Sequence, residues 1–295
     1  MIGLDAVYVE SVVNAALAED VGSGDITTLL TVPENTWCKG EVVVKDDGIL
    51  CGQDVARMVF TAIHNRSLLP FSDGEKNGKG HAYEIHVRDG ARVKPGDVVA
   101  SVSGEARGIL TGERVALNFL QRMSGIATIT ARYVSLVSHT NARIVDTRKT
   151  TPGLRRLEKY AVTVGGGYNH RFGLSDGILI KDNHIAVAGG VREAVTSAKN
   201  KAPHTLKIEV EVSNLDQLCE AIEAGADAVL LDNMPLEMMR EAVNVAKGRV
   251  ILEASGGVTE KTVAAIAETG VDLISVGALT HSAQALDISL EIDIG

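Results

Sequence analysis

The sequence is poor in aromatic side chains and lacks an excess of positive charge. Aromatic residues make up 3% of the 295 positions, and the formal net charge at pH 7 is -9. Proteins that bind DNA or RNA broadly use basic surfaces and aromatic rings that stack on bases, so this composition argues against a nucleic-acid partner. A local cluster of cations in so acidic a chain is therefore a candidate site for an anionic ligand.

Cysteines and long apolar runs are also scarce. The three cysteines, Cys38, Cys51 and Cys219, do not have the spacing of metal ligands, and an odd, sparse set predicts reduced thiols in a cytoplasmic protein. No apolar run approaches the roughly 20 residues needed to cross a bilayer, and the first residues do not read as a signal peptide. We expect no membrane partner.

Strands and helices are predicted to alternate from residue 142 onward. Apolar, β-branched runs predict strands at 143–146, 177–181, 207–212, 228–232, 250–254 and 273–277. Helical spacing predicts helices such as 191–198, 215–224, 236–246 and 259–269. This alternation gives a parallel sheet, and six compact units close most simply into an incomplete version of the eight-stranded α/β barrel. An open doubly wound sheet is the alternative, but no Gly-x-Gly-x-x-Gly pattern follows its first strand.

The first third of the chain is predicted to be a mixed α/β region. The elements expected there are helices at 8–17 and 54–64, strands at 40–45 and 81–87, a glycine-acid loop at 19–25 and a polar surface loop at 65–80. A helix at 113–123 is followed, after a short break, by a second at 125–137.

Residues 84–102 carry a pattern similar to the hammerhead strands of lipoyl and biotinyl carrier domains. A carrier needs a lysine at an exposed hairpin tip, but after Lys94 no lysine occurs until Lys149. We therefore interpret this segment as a sandwich topology without carrier function, and a carrier or scaffold stays the non-catalytic alternative.

Charged residues and glycines follow the predicted strands of the second region. In an α/β barrel the chemistry lies at the carboxyl ends of the strands. In chain order these ends carry Arg148 and Lys149, then Lys181, Glu211, Asp232, Glu253 with Ser255, Gly256 and Gly257, and finally Gly277.

Lys181 and Glu211 have a functional and a structural interpretation. A buried lysine without a partner is costly, so Lys181 is expected to face a cleft or to pair with an acid. Glu211 lies between two valines, and strand alternation points it away from them, toward the barrel interior. The two side chains could form only a structural ion pair.

The segment Ser255–Gly257 is a candidate phosphate-binding turn. It follows a strand, and Thr259 is expected to open a helix, which would aim backbone amides at an anion. Gly277 on the next strand strengthens this interpretation, because two adjacent late strands often form the phosphate site of a barrel.

Five blocks together resemble the quinolinate phosphoribosyltransferase family. They are DTRKTTPGLR at 146–155, GGGYNHR at 165–171, LIKDNH at 179–184, LDNM at 231–234 and LEASGG at 252–257. The resemblance extends to 19–28, 113–128 and 286–290 and so covers nearly the whole chain.

The resemblance implies a type II phosphoribosyltransferase-like fold. It has an N-terminal α/β sandwich, expected at 1–118, an incomplete α/β barrel at 119–280, and a tail at 281–295 that returns to the N-terminal domain. It also implies a homodimer in which Arg114 enters the neighbouring active site, with assembly beyond the dimer left open. The implied reaction joins quinolinate and phosphoribosyl pyrophosphate into nicotinate mononucleotide, with release of pyrophosphate and CO₂, and uses Mg²⁺ but no covalent cofactor.

The resemblance and the chemistry together assign the site residues. The dicarboxylate quinolinate needs several cations. The candidates are Arg148, Lys149, Arg171 and Lys181, assisted by Arg114, Thr147 and His170. Glu211 and Asp232 are expected to orient ribose hydroxyls or hold Mg²⁺, and with Lys149 they form the predicted catalytic set. The 5′-phosphate is assigned to Ser255, Gly256, Gly257, Val276, Gly277 and Ala278.

Two further functions are compatible with the sequence. A protein associated with molybdenum transport shares this fold and would act on another substrate. A Schiff-base aldolase would use Lys181 as its nucleophile at a barrel strand end.

Overall fold

The computed structural model describes residues 3–65 and 81–293. The predicted loop at 65–80 lies outside these residues except for Asn65, which ends a helix. The elements, in chain order, are α1 (Ala6–Val21), α2 (Ile26–Thr31), β1 (Trp37–Val44), β2 (Gly48–Ile49), α3 (Gln53–Asn65), β3 (Ala82–Ile85), β4 (Arg92–Val93), β5 (Val98–Glu105), α4 (Ala106–Val137), β6 (Arg143–Val145), α5 (Arg155–Val164), β7 (Ile178–Ile180), α6 (Asp182–Ala188), α7 (Val191–Lys201), β8 (Ile208–Val212), α8 (Leu215–Ala224), β9 (Ala228–Asp232), α9 (Leu236–Ala246), β10 (Ile251–Ser255), α10 (Val263–Ala267), β11 (Leu273–Ser275), α11 (Ala278–His281) and β12 (Ile288–Asp293).

The chain divides into two compact units. The first comprises the described parts of Met1–Ile129, Thr151–Gly165 and Ala283–Gly295, and the second comprises Thr130–Thr150 and Gly166–Ser282. The division falls inside α4, as does the boundary expected from the sequence at 118/119, so the domain limits given there stay a prediction.

A four-stranded antiparallel sheet organises the first unit. Its strand order is β12-β1-β5-β3, so the C-terminal strand pairs with the first strand of the chain. Helix α1 buries Val9, Val13 and Leu17, one residue per turn, and packs against α3. This mixed architecture confirms the predicted α/β class.

Helix α1 is longer than the sequence suggests. Asp5 caps its first turn by accepting a hydrogen bond from the Val7 amide at 2.9 Å. The helix then continues to Val21 and ends at Gly22, whose φ of 52° stops it. The predicted loop at 19–25 is therefore wrong for residues 19–21, which are helical.

Helix α4 is continuous over 32 residues, so the predicted break near Gly125 is wrong. Gly125 is in the helix because a side chain there would collide with the chain that passes it: an added Cβ would lie 1.9 Å from the Gln284 carbonyl oxygen. Despite the length of α4, none of the helices within the described residues has the apolar character that a membrane span requires.

Six parallel strands form the sheet of the second unit, as predicted. Their order is β6-β11-β10-β9-β8-β7. From one edge to the other, the sheet runs through β7, β8, β9, β10 and β11 in chain order and ends at β6. This is the order of a ring that is cut open between β6 and β7. A doubly wound sheet would instead reverse its strand order at an internal point. The predicted incomplete barrel is confirmed.

The segment between β6 and β7 continues the sheet past the cut. Tyr168 forms a parallel bridge with Val145: its amide donates to the Ile144 carbonyl at 2.9 Å, and its own carbonyl accepts from the Asp146 amide at 3.0 Å. Since the other edge of β6 pairs with β11, Tyr168 occupies the edge that β7 would take in a closed ring. The residues that follow Tyr168 are thereby placed at the strand ends.

Candidate active site

The predicted site residues of the second unit meet at one edge of the sheet. Parallel strands present their carboxyl ends together, and each of the six contributes there. Ser255 lies directly beside Asp232 in the register of β10 and β9, and Glu211 lies one strand away, beside Leu230. Arg114 belongs to α4 in the first unit, where its side chain is exposed.

Lys181 and Glu211 form an ion pair through Lys181 Nζ and Glu211 Oε2. The side chain of Glu211 is 16% exposed and that of Lys181 46% exposed, whereas Val210 and Val212 are buried. The strand alternation predicted for Glu211 is therefore confirmed. The pair is open to solvent, where a ligand can reach both charges.

Arg171 has an unsatisfied donor beside a second cation. Its Nη1 donates to the Gly177 carbonyl at 2.9 Å, while its buried Nε has no hydrogen-bond partner. Burial, and then the neighbouring Arg148, lower the pKa of the Arg171 guanidinium. Two close guanidinium groups, one with an unpaired buried donor, are stabilised by an anion that binds between them.

Lys149 lies beside Gly277. Its carbonyl accepts from the buried Thr280 hydroxyl at 2.7 Å, and its amide donates to the Thr147 hydroxyl at 3.0 Å. A Cβ added to Gly277 would come within 3.2 Å of both Lys149 Cδ and the His281 ring. His281 was not predicted from the sequence, although its position one helical turn after Gly277 could have indicated it.

The Ser255–Gly257 turn has the conformation that glycine permits, but no helix begins directly after it. Gly256 has a φ of 97° and Gly257 a φ of 58°. Helix α10 begins only at Val263, because the Thr259 amide donates to the Thr262 hydroxyl in a turn of its own. The expectation that Thr259 opens a helix is therefore wrong, and no helix N-terminus directs its amides at this turn.

Asn233 supports this turn from the neighbouring strand. Its amide donates to the Ser255 carbonyl at 2.9 Å, and its backbone is left-handed, with a φ of 52°. A Cβ on Gly256 would lie 2.2 Å from Asn233 Oδ1. Glycine is thus required at position 256 for both its conformation and its size. On the next strand, Val276 is buried and Ala278 begins α11.

A cluster of three titratable side chains lies within the second unit. His170 Nε2 is 3.0 Å from Glu209 Oε2 and 3.7 Å from Glu253 Oε1. Burial, and then the carboxylate of Glu209, raise the pKa of Glu253. Glu253 was noted in the sequence without a role, and Glu209 was not identified. The pattern Ile-Glu-Val-Glu-Val of β8 could have indicated Glu209, because it places Glu209 on the same face as Glu211.

Asp146 organises the chain around this cluster. It is fully buried, and it accepts hydrogen bonds from the His170 amide at 2.8 Å and from the Asn169 side chain at 2.7 Å. The first residue of the DTRKTTPGLR block therefore supports the structure, while Arg148 and Lys149 in the same block are exposed.

Both regions of the chain match known protein families. The profile described as Quinolinate phosphoribosyl transferase, N-terminal domain, matches residues 25–124, and the corresponding C-terminal domain profile matches residues 126–291.

Curated relatives and solved structures agree with these profiles. The chain is 42% identical over 291 residues to a probable nicotinate-nucleotide pyrophosphorylase (carboxylating) of Bacillus subtilis, covering 99% of this chain and 96% of the relative. It is 44% identical to the enzyme of that name from Mycobacterium leprae, covering 95% of each chain. The structure of the nicotinate-nucleotide pyrophosphorylase from Francisella tularensis matches with a TM-score of 0.90 and 42% identity, covering 99% of this chain and 98% of the other. The chain therefore belongs to the quinolinate phosphoribosyltransferase family.

Proposed function

We propose that the residues at the strand ends carry out the reaction for which the family is named. The chain is a quinolinate phosphoribosyltransferase of the decarboxylating kind: quinolinate and phosphoribosyl pyrophosphate give nicotinate mononucleotide, pyrophosphate and CO₂. The observation that carries the assignment of roles is the unpaired, buried Arg171 Nε beside Arg148, at the sheet edge that also bears Glu211 and Asp232. The molybdenum-transport alternative has no support from the relatives named above.

The chemistry requires orientation and charge rather than a nucleophilic side chain. The pyridine nitrogen attacks C1 of the ribose as pyrophosphate leaves, through a transition state with oxocarbenium character. Carboxylates near the ribose favour its developing positive charge, and cations favour the leaving pyrophosphate. The C–CO₂ bond then breaks, and the positively charged ring nitrogen stabilises the electron pair until the carbon takes up a proton.

Quinolinate is assigned to the cations on the β6 and β7 side of the site. We assign one carboxylate to Arg148 and Arg171, because Arg171 Nε lacks a partner within the described structure. We assign the other to Lys181, which is paired with Glu211. Lys149 lies beside Gly277 and is assigned to the phosphoribosyl group as well as to quinolinate.

Mg²⁺ fits the carboxylates of this site. Asp232 is half-buried at the end of β9, and within the described residues its carboxylate makes no hydrogen bond or ion pair. Mg²⁺ is typically held by one or two carboxylates together with substrate phosphates. Asp232, with Glu211, would hold the ion, which when bound neutralises the charge of the pyrophosphate leaving group.

The 5′-phosphate is assigned to the two glycine turns. Ser255, Gly256 and Gly257 supply one wall, and Val276, Gly277 and Ala278 supply the other. Gly256 and Gly257 have positive φ, and a turn of this kind can present backbone amides to an anion.

We propose that the protein forms a homodimer. Large apolar side chains are exposed in both units, among them Leu30 (81% exposed) in the first and Val187 (91% exposed) in the second. A second copy that covers such side chains would remove them from water. The exposed Arg114 is proposed to enter the site of the partner subunit. The three cysteines are free thiols, in keeping with the cytoplasmic location that we propose.

Product analysis tests the substrate assignment. Quinolinate, nicotinate and nicotinamide are offered separately, each with phosphoribosyl pyrophosphate and Mg²⁺. We expect only quinolinate to yield nicotinate mononucleotide, with one CO₂ released per nucleotide formed. Equal turnover of nicotinate would contradict the assignment, and Lys149→Ala serves as the inactive control.

A further inference from the structure

The His170 side chain is fully engaged within its own chain. Its Nδ1 accepts a hydrogen bond from the Arg171 amide at 2.7 Å, and its Nε2 lies 3.0 Å from Glu209 Oε2. Its backbone amide is held by Asp146 at 2.8 Å. The residue is thereby fixed at three points, and both ring nitrogens have partners.

These partners determine which nitrogen carries the ring proton. An Nδ1 that accepts from an amide has no hydrogen, so the proton of the ring lies on Nε2 and is donated to Glu209. The same assignment argues against a metal ion among His170, Glu209 and Glu253, although their ligand atoms lie within 4.8 Å of one another. A metal at Nε2 would require the lone pair there, with the hydrogen moved to Nδ1, where the Arg171 amide points.

The hydrogen bond to Nδ1 connects this ring to Arg171. The Arg171 amide is bound to His170, and the far end of its side chain is bound to the Gly177 carbonyl through Nη1. With backbone and guanidinium both anchored, the buried Nε keeps its direction without a partner of its own. Glu253, whose side chain is 2% exposed, lies with its Oε1 3.7 Å from His170 Nε2.

We propose that Glu209 is a positioning residue, which acts through His170 to aim the Arg171 guanidinium at the substrate carboxylate. His170 then holds Arg171 in place and does not bind quinolinate itself. This role replaces the one expected for His170 from the sequence. The inference rests on the proposed function of Arg171 and extends it to a side chain that does not touch the substrate.

The two interpretations of His170 predict opposite effects for Glu209→Ala. If His170 bound quinolinate directly, the loss of Glu209 would release Nε2 and preserve or improve binding. If Glu209 positions Arg171, the ring loses its anchor, and we expect the Kd and KM for quinolinate to rise roughly 10-fold to 100-fold. The KM for phosphoribosyl pyrophosphate should stay within about twofold, because the glycine turns assigned to its 5′-phosphate follow β10 and β11, whereas Glu209 lies on β8.

Conservative and control variants separate positioning from general damage. Glu209→Gln keeps an oxygen that accepts from Nε2, and we expect it to restore quinolinate affinity to within about fivefold of the wild type. Glu237→Ala removes an exposed glutamate of the same unit and should change neither constant. Isothermal titration with quinolinate and steady-state kinetics give the measurements.

The outcomes test the positioning role of Glu209 separately from the proposed substrate. If the wild type binds no quinolinate, the proposed substrate fails; if the wild type binds it and Glu209→Ala binds it equally well, the positioning role fails. Equal losses for both substrates would also overturn the role. Should Glu209→Ala not fold, nitrogen NMR of His170 in the wild type tests the positioning role. A proton on Nε2 supports this role, and a proton on Nδ1 overturns it.

Discussion

The guanidinium of Arg171 is the side chain whose geometry should matter most for quinolinate. Arg171→Lys keeps the charge but removes Nε and the planar fork that carboxylates prefer. We expect kcat/KM for quinolinate to fall by about 10-fold to 100-fold, which corresponds to the 1.5–3 kcal/mol typical of a hydrogen bond to a charged group. Arg171→Ala and Lys149→Ala should remove activity while the protein stays folded.

Arg92→Lys is the matched control for this substitution, since Arg92 is exposed on β4 of the first unit. It should leave kcat/KM unchanged. Near-full activity of Arg171→Lys would show that the unpaired Nε does not meet the substrate.

Gly256 and Gly257 form a natural pair for a second test. Gly256→Ala places a methyl group against Asn233 Oδ1 and forces alanine to a φ of 97°, so we expect a loss of stability of about 1–3 kcal/mol and weaker binding of phosphoribosyl pyrophosphate. Gly257→Ala meets no atom within 4 Å at a φ of 58°, and should cost about 1 kcal/mol. Urea unfolding and titration with the ligand give both quantities. Equal effects of the two substitutions would argue against the contact with Asn233.

Glu253 should leave a signature in the pH dependence of stability. Burial raises the pKa of this carboxyl to about 7 from an ordinary value of 4.5. An acid whose pKa is raised by folding stabilises the fold fully only below its unfolded pKa, and the contribution is lost as the pH rises through the folded pKa. The free energy of unfolding should therefore fall between about pH 5 and pH 8, by about 1–3 kcal/mol more in the wild type than in Glu253→Gln.

Urea unfolding at several pH values measures this difference. Glu237→Gln, at an exposed position, should follow the wild-type profile. Parallel profiles for the wild type and Glu253→Gln would show that Glu253 is ionised in the folded state throughout this range.

At the scale of elements, two of the three glycines of helix α4 have opposite expected behaviour. Gly125→Ala would normally favour a helix by about 1 kcal/mol, but here its Cβ would lie 1.9 Å from the Gln284 carbonyl, so we expect a loss of about 1–3 kcal/mol. Gly108→Ala, whose Cβ would make an ordinary 3.4 Å contact with Ile63, should be neutral or stabilising by up to about 1 kcal/mol. Thermal unfolding of both variants provides the measurement, and a stabilised Gly125→Ala would contradict the close packing.

The elements show which features the sequence could predict. Helices α8 and α9 have the predicted bounds, because amphipathic spacing and clear ends determine them locally. The continuity of α4 and the late start of α10 were not predictable in this way. The first depends on contact with residue 284, far along the chain, and the second on a hydroxyl hydrogen bond between Thr259 and Thr262.

The candidate site residues likewise fall into those that the sequence predicts and those that it does not. Exposed cations after strands, such as Lys149 and Lys181, could be named as candidates because charge after an apolar run is conspicuous in a sequence. Glu209 and Asp146 were not named, because their positions beside His170 depend on burial and on partners that only the fold brings together.

At the scale of the whole molecule, the proposed dimer makes a prediction about mixed subunits. If Arg114 completes the site of the partner subunit, Arg114→Ala and Lys149→Ala should each be inactive alone. A mixed dimer would contain one site with both residues intact, so random mixing should restore about one quarter of wild-type activity. Refolding the two variants together, followed by a rate measurement, tests this.

A second mixture is the control. Lys149→Ala and Arg171→Ala alter the same unit of the same subunit, so every site in their mixed dimer keeps one defect. No activity should return. If the Arg114 and Lys149 pair also stays inactive while size-exclusion chromatography shows mixed dimers, Arg114 does not act across the subunits.

The cut between β6 and β7 has a consequence for engineering and for evolutionary change. In a closed eight-stranded barrel, a substrate loop can be exchanged while the strands hold the ring together. Here the segment around Tyr168 both continues the sheet and carries His170 and Arg171. If Arg171 binds quinolinate as proposed, the same few residues determine both ligand specificity and the integrity of the sheet. A new carboxylate substrate would then be accommodated more easily by changes on the β8 to β11 side than by grafting a foreign loop into this segment.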